Sequence, residues 1–208
     1  MDSDIEKNCV IFFDTETTGL PKKQYNKYFS PKKLEEYDSS RLASIAWIKT
    51  NFSYEIISKG YHYVKPDNWT VCPEALKVNS LTDQILNEKG LHIAQIIDIF
   101  AEEMKDVKFL VAHNIAFDIR IILSEIYRTN NLEFYKDISN IKQYCSMKLF
   151  ATSYPNMAGE NKTIKLRTAY EFIKHEKDDL NYHDAMDDTL MCYRIFYFII
   201  DKHNKTIT

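Results

Sequence analysis

The chain has 208 residues, 45% hydrophobic and 27% charged, with a formal net charge of −3. That length can bury a core without disulfides or a structural metal, and no apolar run approaches the about 18 residues that a membrane span needs. A slightly acidic balance excludes a protein that coats nucleic acid along its length, so any grip on phosphates must be local.

The start, Met1-Asp2-Ser3-Asp4, lacks the basic flank and apolar run of a secretory leader, so an intracellular, cytoplasmic place with no membrane contact is expected. Cys9 to Phe13 is a short apolar run rich in β-formers and predicts a central strand, with Asp14 at its end. Residues 21–40 lose hydrophobicity, hold Pro21 and Pro31, and read as a long loop or insertion. There Lys22, Lys23, Lys27, Lys32 and Lys33 alternate with Tyr25, Tyr28, Phe29 and Tyr37. The pattern fits a solvated, partly mobile loop, or a surface that holds phosphates while rings stack on unpaired bases.

Residues 42–49 and 52–64 supply two further strands, as a hairpin. Residues 91–105 carry Ile93, Ile96, Ile97, Phe100 and Met104 at helical spacing. Residues 107–112 predict a strand, 116–127 a helix, 154–163 a loop, and 166–174 and 184–201 the closing helices; residues 138–153 are ambiguous. Strands followed by strand and helix alternation imply a single α/β domain over 1–208, core about 8–201, with a mixed central β-sheet flanked by α-helices. Cys9, Cys72, Cys145 and Cys192 show no paired spacing and read as reduced thiols.

Three acidic constellations stand out. In Asp14-Thr15-Glu16, strand alternation puts both carboxylates on one face, a seat for a hard cation, and Gly19 lets the chain turn close to whatever is bound. Taken alone, such a pair is most often a solvated turn. In His113-Asn114-Ile115-Ala116-Phe117-Asp118 a strand ends and a helix begins. Asp118 shares a stripe with Ile121 and Ile122, so it needs a partner. The residues leave open whether Asn114 caps that helix and His113 packs, or both meet a substrate. In His183-Asp184-Ala185-Met186-Asp187-Asp188, Asp184 is the expected N-cap and His183 the last loop residue. Asp187 falls on a polar line with Arg194 and Asp201 and should be solvated. Asp188 lies with Met191, Cys192, Ile195, Phe196 and Ile199, where an unpaired carboxylate is costly. Like charges about 4 Å apart repel by roughly 4 kcal/mol at an effective dielectric near 20, so a cluster of four calls for cations.

In these three motifs, in their order and spacing, the sequence resembles the DEDDh, or DnaQ-like, branch of the DEDD 3'→5' exonucleases, with an RNase H-like fold. Softer similarity covers Pro73-Glu74-Ala75, Thr82, Cys145-Ser146-Met147 and Lys165-Leu166, while Asn79-Ser80-Leu81-Thr82 stands where many relatives carry a His-Gly-Ile-Thr-like run. The resemblance selects Asp188, five residues after His183, over Asp187. It implies two divalent ions, Mg²⁺ or Mn²⁺, with Asp14 touching both, Glu16 and Asp188 completing one site and Asp118 supporting the other. It implies His183 as general base, and substrate contact at Thr15, Thr17, Thr18, Leu20, His113, Asn114 and Phe117. The implied reaction releases nucleoside monophosphates from a free 3' end, single-stranded DNA or a frayed duplex first. RNA trimming and a silent binding module are the alternatives. The sequence shows no clear polymerase-binding tail, a polymerase partner stays open, and the expected state is a monomer or homodimer.

Overall fold

The computed structural model describes residues 8–159, 163–174 and 180–207, the last with side chains to residue 203. Strand β1 (Cys9–Thr17) is followed by two two-residue strands, β2 (Lys23–Gln24) and β3 (Lys27–Tyr28), and then by β4 (Leu42–Asn51) and β5 (Ile56–Tyr63). Helices α1 (Pro73–Asn79), α2 (Asp83–Lys89) and α3 (Ile93–Glu103) come next, then β6 (Val107–Ala112), α4 (Ile115–Arg128), α5 (Leu132–Asn140), β7 (Lys142–Cys145), α6 (Ser146–Ser153), α7 (Leu166–Ile173) and α8 (Ala185–Ile207). Five strands form one sheet in the order β5-β4-β1-β6-β7. β1 runs antiparallel to β4 and parallel to β6, and β6 runs parallel to β7. The expected mixed sheet with flanking helices is present.

Strand alternation sorts the core onto two faces. Ile11 and Phe13 of β1 join Ile96 and Phe100 of α3 and Ile121 and Ile122 of α4 in one buried cluster. Val10 and Phe12 face the other way, onto Cys192, Phe196 and Tyr197 of α8. Complete burial of such side chains contributes about 1.5–3 kcal/mol each, so β1 is clamped from both sides and its end is held firmly. β1 and β6 are parallel, so both finish at the same sheet edge, where α4 starts. Binding sites of open α/β sheets form beyond such strand ends.

The 21–40 segment is not an irregular loop. β2 and β3 pair as a hairpin, Lys23 opposite Tyr28 and Gln24 opposite Lys27. Tyr25 and Asn26 at its tip both have positive φ, 51° and 60°, as a two-residue type I′ turn requires. Pro21, Pro31 and Tyr37 are buried, and the Tyr37 hydroxyl donates to the Phe29 carbonyl at 2.7 Å. The ambiguous 138–153 stretch resolves into the end of α5, all of β7 and α6. In the expected 154–163 loop, Pro155–Met157 forms one 3₁₀ turn, and residues 160–162 lie outside the described residues. The four cysteines are free. Among the described residues no helix is long and apolar enough to cross a membrane.

Candidate active site

The end of β1 splits its side chains between two helices. Thr15 points to the α4 side, where its backbone N–H and its hydroxyl donate to Asp118 Oδ1 at 3.2 and 2.8 Å. Asp14 and Glu16 belong to the opposite register, toward α8 and Asp188. Asp118 and Asp188 are only 3% and 9% exposed, and Asp14 and Glu16 are half-buried. Glu16, His183 and Asp188 each offer a ligand atom within 4.8 Å of the other two.

The start of α8 is built as its sequence suggests. Asp184 Oδ1 accepts from the N–H groups of Met186 and Asp187 at 3.0 and 3.2 Å, so Asp184 is the N-cap. The Tyr61 hydroxyl of β5 donates to the other oxygen of Asp184 at 2.9 Å. His183 is exposed and left-handed, φ 67°, and its N–H donates to Asp188 Oδ1 at 3.4 Å. This bend presents the imidazole to Glu16 while the backbone turns into the helix. Asp187 is half-buried instead of solvated, because its carboxylate accepts from the Asn181 N–H at 2.8 Å and closes the preceding turn.

Burial and mutual repulsion raise the affinity of all four carboxylates for protons. Asp14 is pushed well above the usual range by burial and then by Asp118, Asp188 and Glu16. Glu16 is raised to about 8, chiefly by burial and then by Asp188, against a hydrogen bond from Asn79. Asp118 is raised to about 7 by burial despite its bonds from Thr15, and Asp188 to about 7 by burial, with Asp184 and Asp187 adding to it. Among the described residues none of the four has an ion-pair partner. The described residues therefore gather negative charge there and supply no cation against it. A set of hard oxygen donors with this deficit fits divalent ions.

Beside the acids lies a pocket of about 430 Å³ whose walls include Thr15, Glu16, Thr17, Leu20, Phe117 and, from α1, Val78. Leu20 is 77% exposed, an apolar side chain left open beside the cluster. The Thr17 hydroxyl donates to the Gly19 carbonyl at 2.7 Å, and Thr18 Oγ1 accepts from the Arg41 N–H at 2.9 Å, so both shape the turn after β1. Gly19 has no positive φ; it is required because a Cβ there would meet the Ser39 carbonyl at 2.4 Å. Asn114 is left-handed, exposed and makes no side-chain cap on α4. Both ring nitrogens of His113 are taken up within the chain, with Nδ1 2.9 Å from Ser146 Oγ and Nε2 2.9 Å from the Ile164 carbonyl. The carbonyl can only accept, so Nε2 carries the proton and Nδ1 accepts from Ser146. Burial lowers the pKa of His113 to about 4.

Sequence reasoning missed α1 and the work of Asn79. Its Nδ2 donates to the Thr17 carbonyl at 3.2 Å and its Oδ1 accepts from the Leu81 N–H at 3.1 Å. Asn79 thus ties α1 to the end of β1 beside Glu16. Cys72-Pro73, with Pro73 at the first helical position, was the local signal for that helix.

A mixed sheet with carboxylates from three segments converging beyond its central strand, next to an open apolar pocket, defines a domain of the exonuclease type. Residues 11–196 match the RNase_T exonuclease family, and the chain belongs to that family. The DNA polymerase III subunit epsilon of Pasteurella multocida (strain Pm70) is 27% identical over 120 residues, 58% of this chain and 42% of that protein. An E. coli exonuclease I–ssDNA complex with zinc superposes with a TM-score of 0.74 at 19% identity, over 95% of this chain and 41% of the other. Exonuclease I from Methylocaldum szegediense gives 0.68 at 20% identity over 95% and 41%. These likenesses establish the RNase H-like exonuclease fold, and the chain spans less than half the length of each of these relatives.

Proposed function

We propose that this chain is a metal-dependent 3'→5' exonuclease that hydrolyses the terminal phosphodiester of a single strand, DNA foremost. The observation that carries the reading is the meeting of Asp14, Glu16, Asp118 and Asp188, all raised in pKa and none paired with a base among the described residues. Asp14, Glu16 and Asp188 would hold one divalent ion, Mg²⁺ or Mn²⁺, and Asp14 with Asp118 a second. Bound there, such ions activate a water and stabilise charge on the leaving 3' oxygen. The Thr15 hydroxyl and N–H fix the Asp118 carboxylate. His183, exposed beside Glu16 and Asp188, takes the proton of the attacking water. Leu20, Val78 and Phe117 hold the terminal base against apolar walls, a contact that accepts any base. The solved exonuclease I complexes with single-stranded DNA accord with a single-strand substrate.

The test is incubation with 5'-labelled single-stranded DNA, duplex DNA and RNA in Mg²⁺, Mn²⁺ or chelator. Stepwise shortening from the 3' end of the DNA single strand, lost in chelator and in Asp14→Asn, is the expected result. A folded protein that shortens none of them, or an Asp14→Asn variant that keeps wild-type turnover, overturns the proposal. Preferred cleavage of RNA would move the substrate class and leave the chemistry standing.

A further inference from the structure

Residues 21–33 hold five lysines and no acid, in a chain whose net charge is −3. Among the described residues only Lys22 meets an acid, Glu36 at 3.2 Å, while Lys32 lies over the rings of Tyr127 and Tyr135 and Lys33 over Phe29. Lys23 and Lys27, on the two strands of the hairpin, are exposed and have no acidic partner among the described residues. Lys23 Nζ sits 4.4 Å over the Tyr28 ring, and the Arg120 guanidinium lies 5.9 Å from the same ring. Arg120 also lacks an acidic partner among the described residues, and its Nε has no hydrogen-bond acceptor.

This patch joins the base pocket. The Tyr28 ring lies 6.3 Å from the ring of Phe117, which lines that pocket, and Phe117 and Arg120 are one helical turn apart on α4. At the far end stands Tyr25, 91% exposed. The left-handed turn that carries it, at the tip of the β2–β3 hairpin, is unusual for an aromatic residue. Pocket, cations and exposed ring follow one another along a single surface.

We propose that this hairpin, with Arg120, grips the single strand just behind its terminal nucleotide, Lys23, Lys27 and Arg120 meeting backbone phosphates while Tyr25 stacks on an unpaired base. The inference rests on the terminal nucleotide occupying the Leu20–Phe117 pocket. Charge explains why the occupant is a polyanion, and a lone exposed ring reads an unstacked base, which a duplex does not offer.

The experiment measures anisotropy of labelled dT12 and of a 12-base-pair duplex in EDTA, for the wild type, Tyr25→Ala and the double variant Lys23→Glu/Lys27→Glu. Hydrolysis of the p-nitrophenyl ester of thymidine 5'-monophosphate in Mn²⁺ reads the acids and pocket alone. Loss of one base stack weakens dT12 binding about tenfold in Tyr25→Ala, and the double variant lowers the salt slope of dT12 binding by about 1.4, the share of two phosphates. Turnover of the ester stays within about twofold, since neither variant reaches the pocket. Unchanged dT12 affinity, equal losses on duplex and single strand in Tyr25→Ala, or a parallel loss of ester turnover would each overturn the grip. If the wild type binds dT12 but hydrolyses neither substrate, the catalytic reading falls and the binding data still judge the hairpin. A wild type that does not bind dT12 removes the hairpin proposal directly.

Discussion

Asp188 shows how much one residue can disclose. Its place on the stripe of Met191, Cys192, Ile195, Phe196 and Ile199, all buried, was legible from the helical period, and so was the need for something positive beside it. The same arithmetic misjudged Asp187, because its partner, the Asn181 N–H, belongs to a preceding loop whose path no period specifies. Asp188→Asn keeps the volume and removes the charge. The expected outcome is a fall in kcat of about 10³-fold, several kcal/mol of transition-state stabilisation, with the protein folded. Single-turnover kinetics on labelled dT12 reads it, and a loss below tenfold would show that Asp188 is not part of the ion seat. Removal of His183 is a milder change: His183→Ala should slow turnover roughly 10²- to 10⁴-fold while leaving Mn²⁺ affinity, read by calorimetry, nearly unchanged. Equal damage to both would make the imidazole an ion ligand instead of a base.

Elements were legible where an apolar run or stripe is unbroken. β6, α3, α4 and α7 emerged near their observed bounds, while β1, read as the apolar run from Cys9 to Phe13, continues through polar residues to Thr17. α1 and α2, seven residues each, are too short for a stripe to register, and their only signals were caps: Pro73 at N1 and the Thr82 hydroxyl accepting from Ile85 at 3.1 Å. β2 and β3, two residues each, cannot show alternation at all. His113 belongs to this scale because its partners, Ser146 of α6 and the Ile164 carbonyl, are 33 and 51 residues away, beyond any local pattern. It fastens the β6–α4 junction to α6 and to the strand of chain before α7. His113→Asn loses two partly buried hydrogen bonds and should cost about 1–3 kcal/mol at pH 7. The sign of its pH dependence follows from a pKa lowered to about 4 by burial: the unfolded state binds the extra proton between about 4 and 6.5, so this residue's contribution is lost as pH falls through that window. Urea melts should therefore show the gap between wild type and His113→Asn narrowing toward pH 4.5. A gap that is constant or widens would mean the ring is not held neutral.

At the scale of the whole molecule, the sheet order places the end of β1 between α4 and α8, so assembling the fold forces four acids together whether or not ions are present. The sequence offered the acids and their order, but only the parallel pairing of β1 with β6 and the crossing of α8 make them neighbours. The consequence is a fold that resists its own formation at high pH. Glu16 is raised to about 8 and Asp118 and Asp188 to about 7, from ordinary values of 4.5 and 3.8, and Asp14 shifts the same way. The folded state then binds more protons than the unfolded one from about pH 4 to 8, so stability without metal falls as pH rises through that range. Below about pH 6.5 the opposite slope of His113 partly hides this, which makes pH 6.5 to 8 the clean window. Divalent ions bind the deprotonated cluster, so their effect must grow over the same interval. Mn²⁺ at about 100 times its dissociation constant adds about 2.7 kcal/mol, roughly 5–10 °C in melting temperature for a chain of this size. Calorimetric scans should show the protein in chelator melting lower at pH 8 than at 6.5, Mn²⁺ raising the pH 8 value more than the pH 6.5 value, and Asp14→Asn flattening both trends. A metal-free melting temperature that climbs from pH 6.5 to 8, with no shift on adding Mn²⁺, would mean that the four carboxylates do not repel one another in the folded chain.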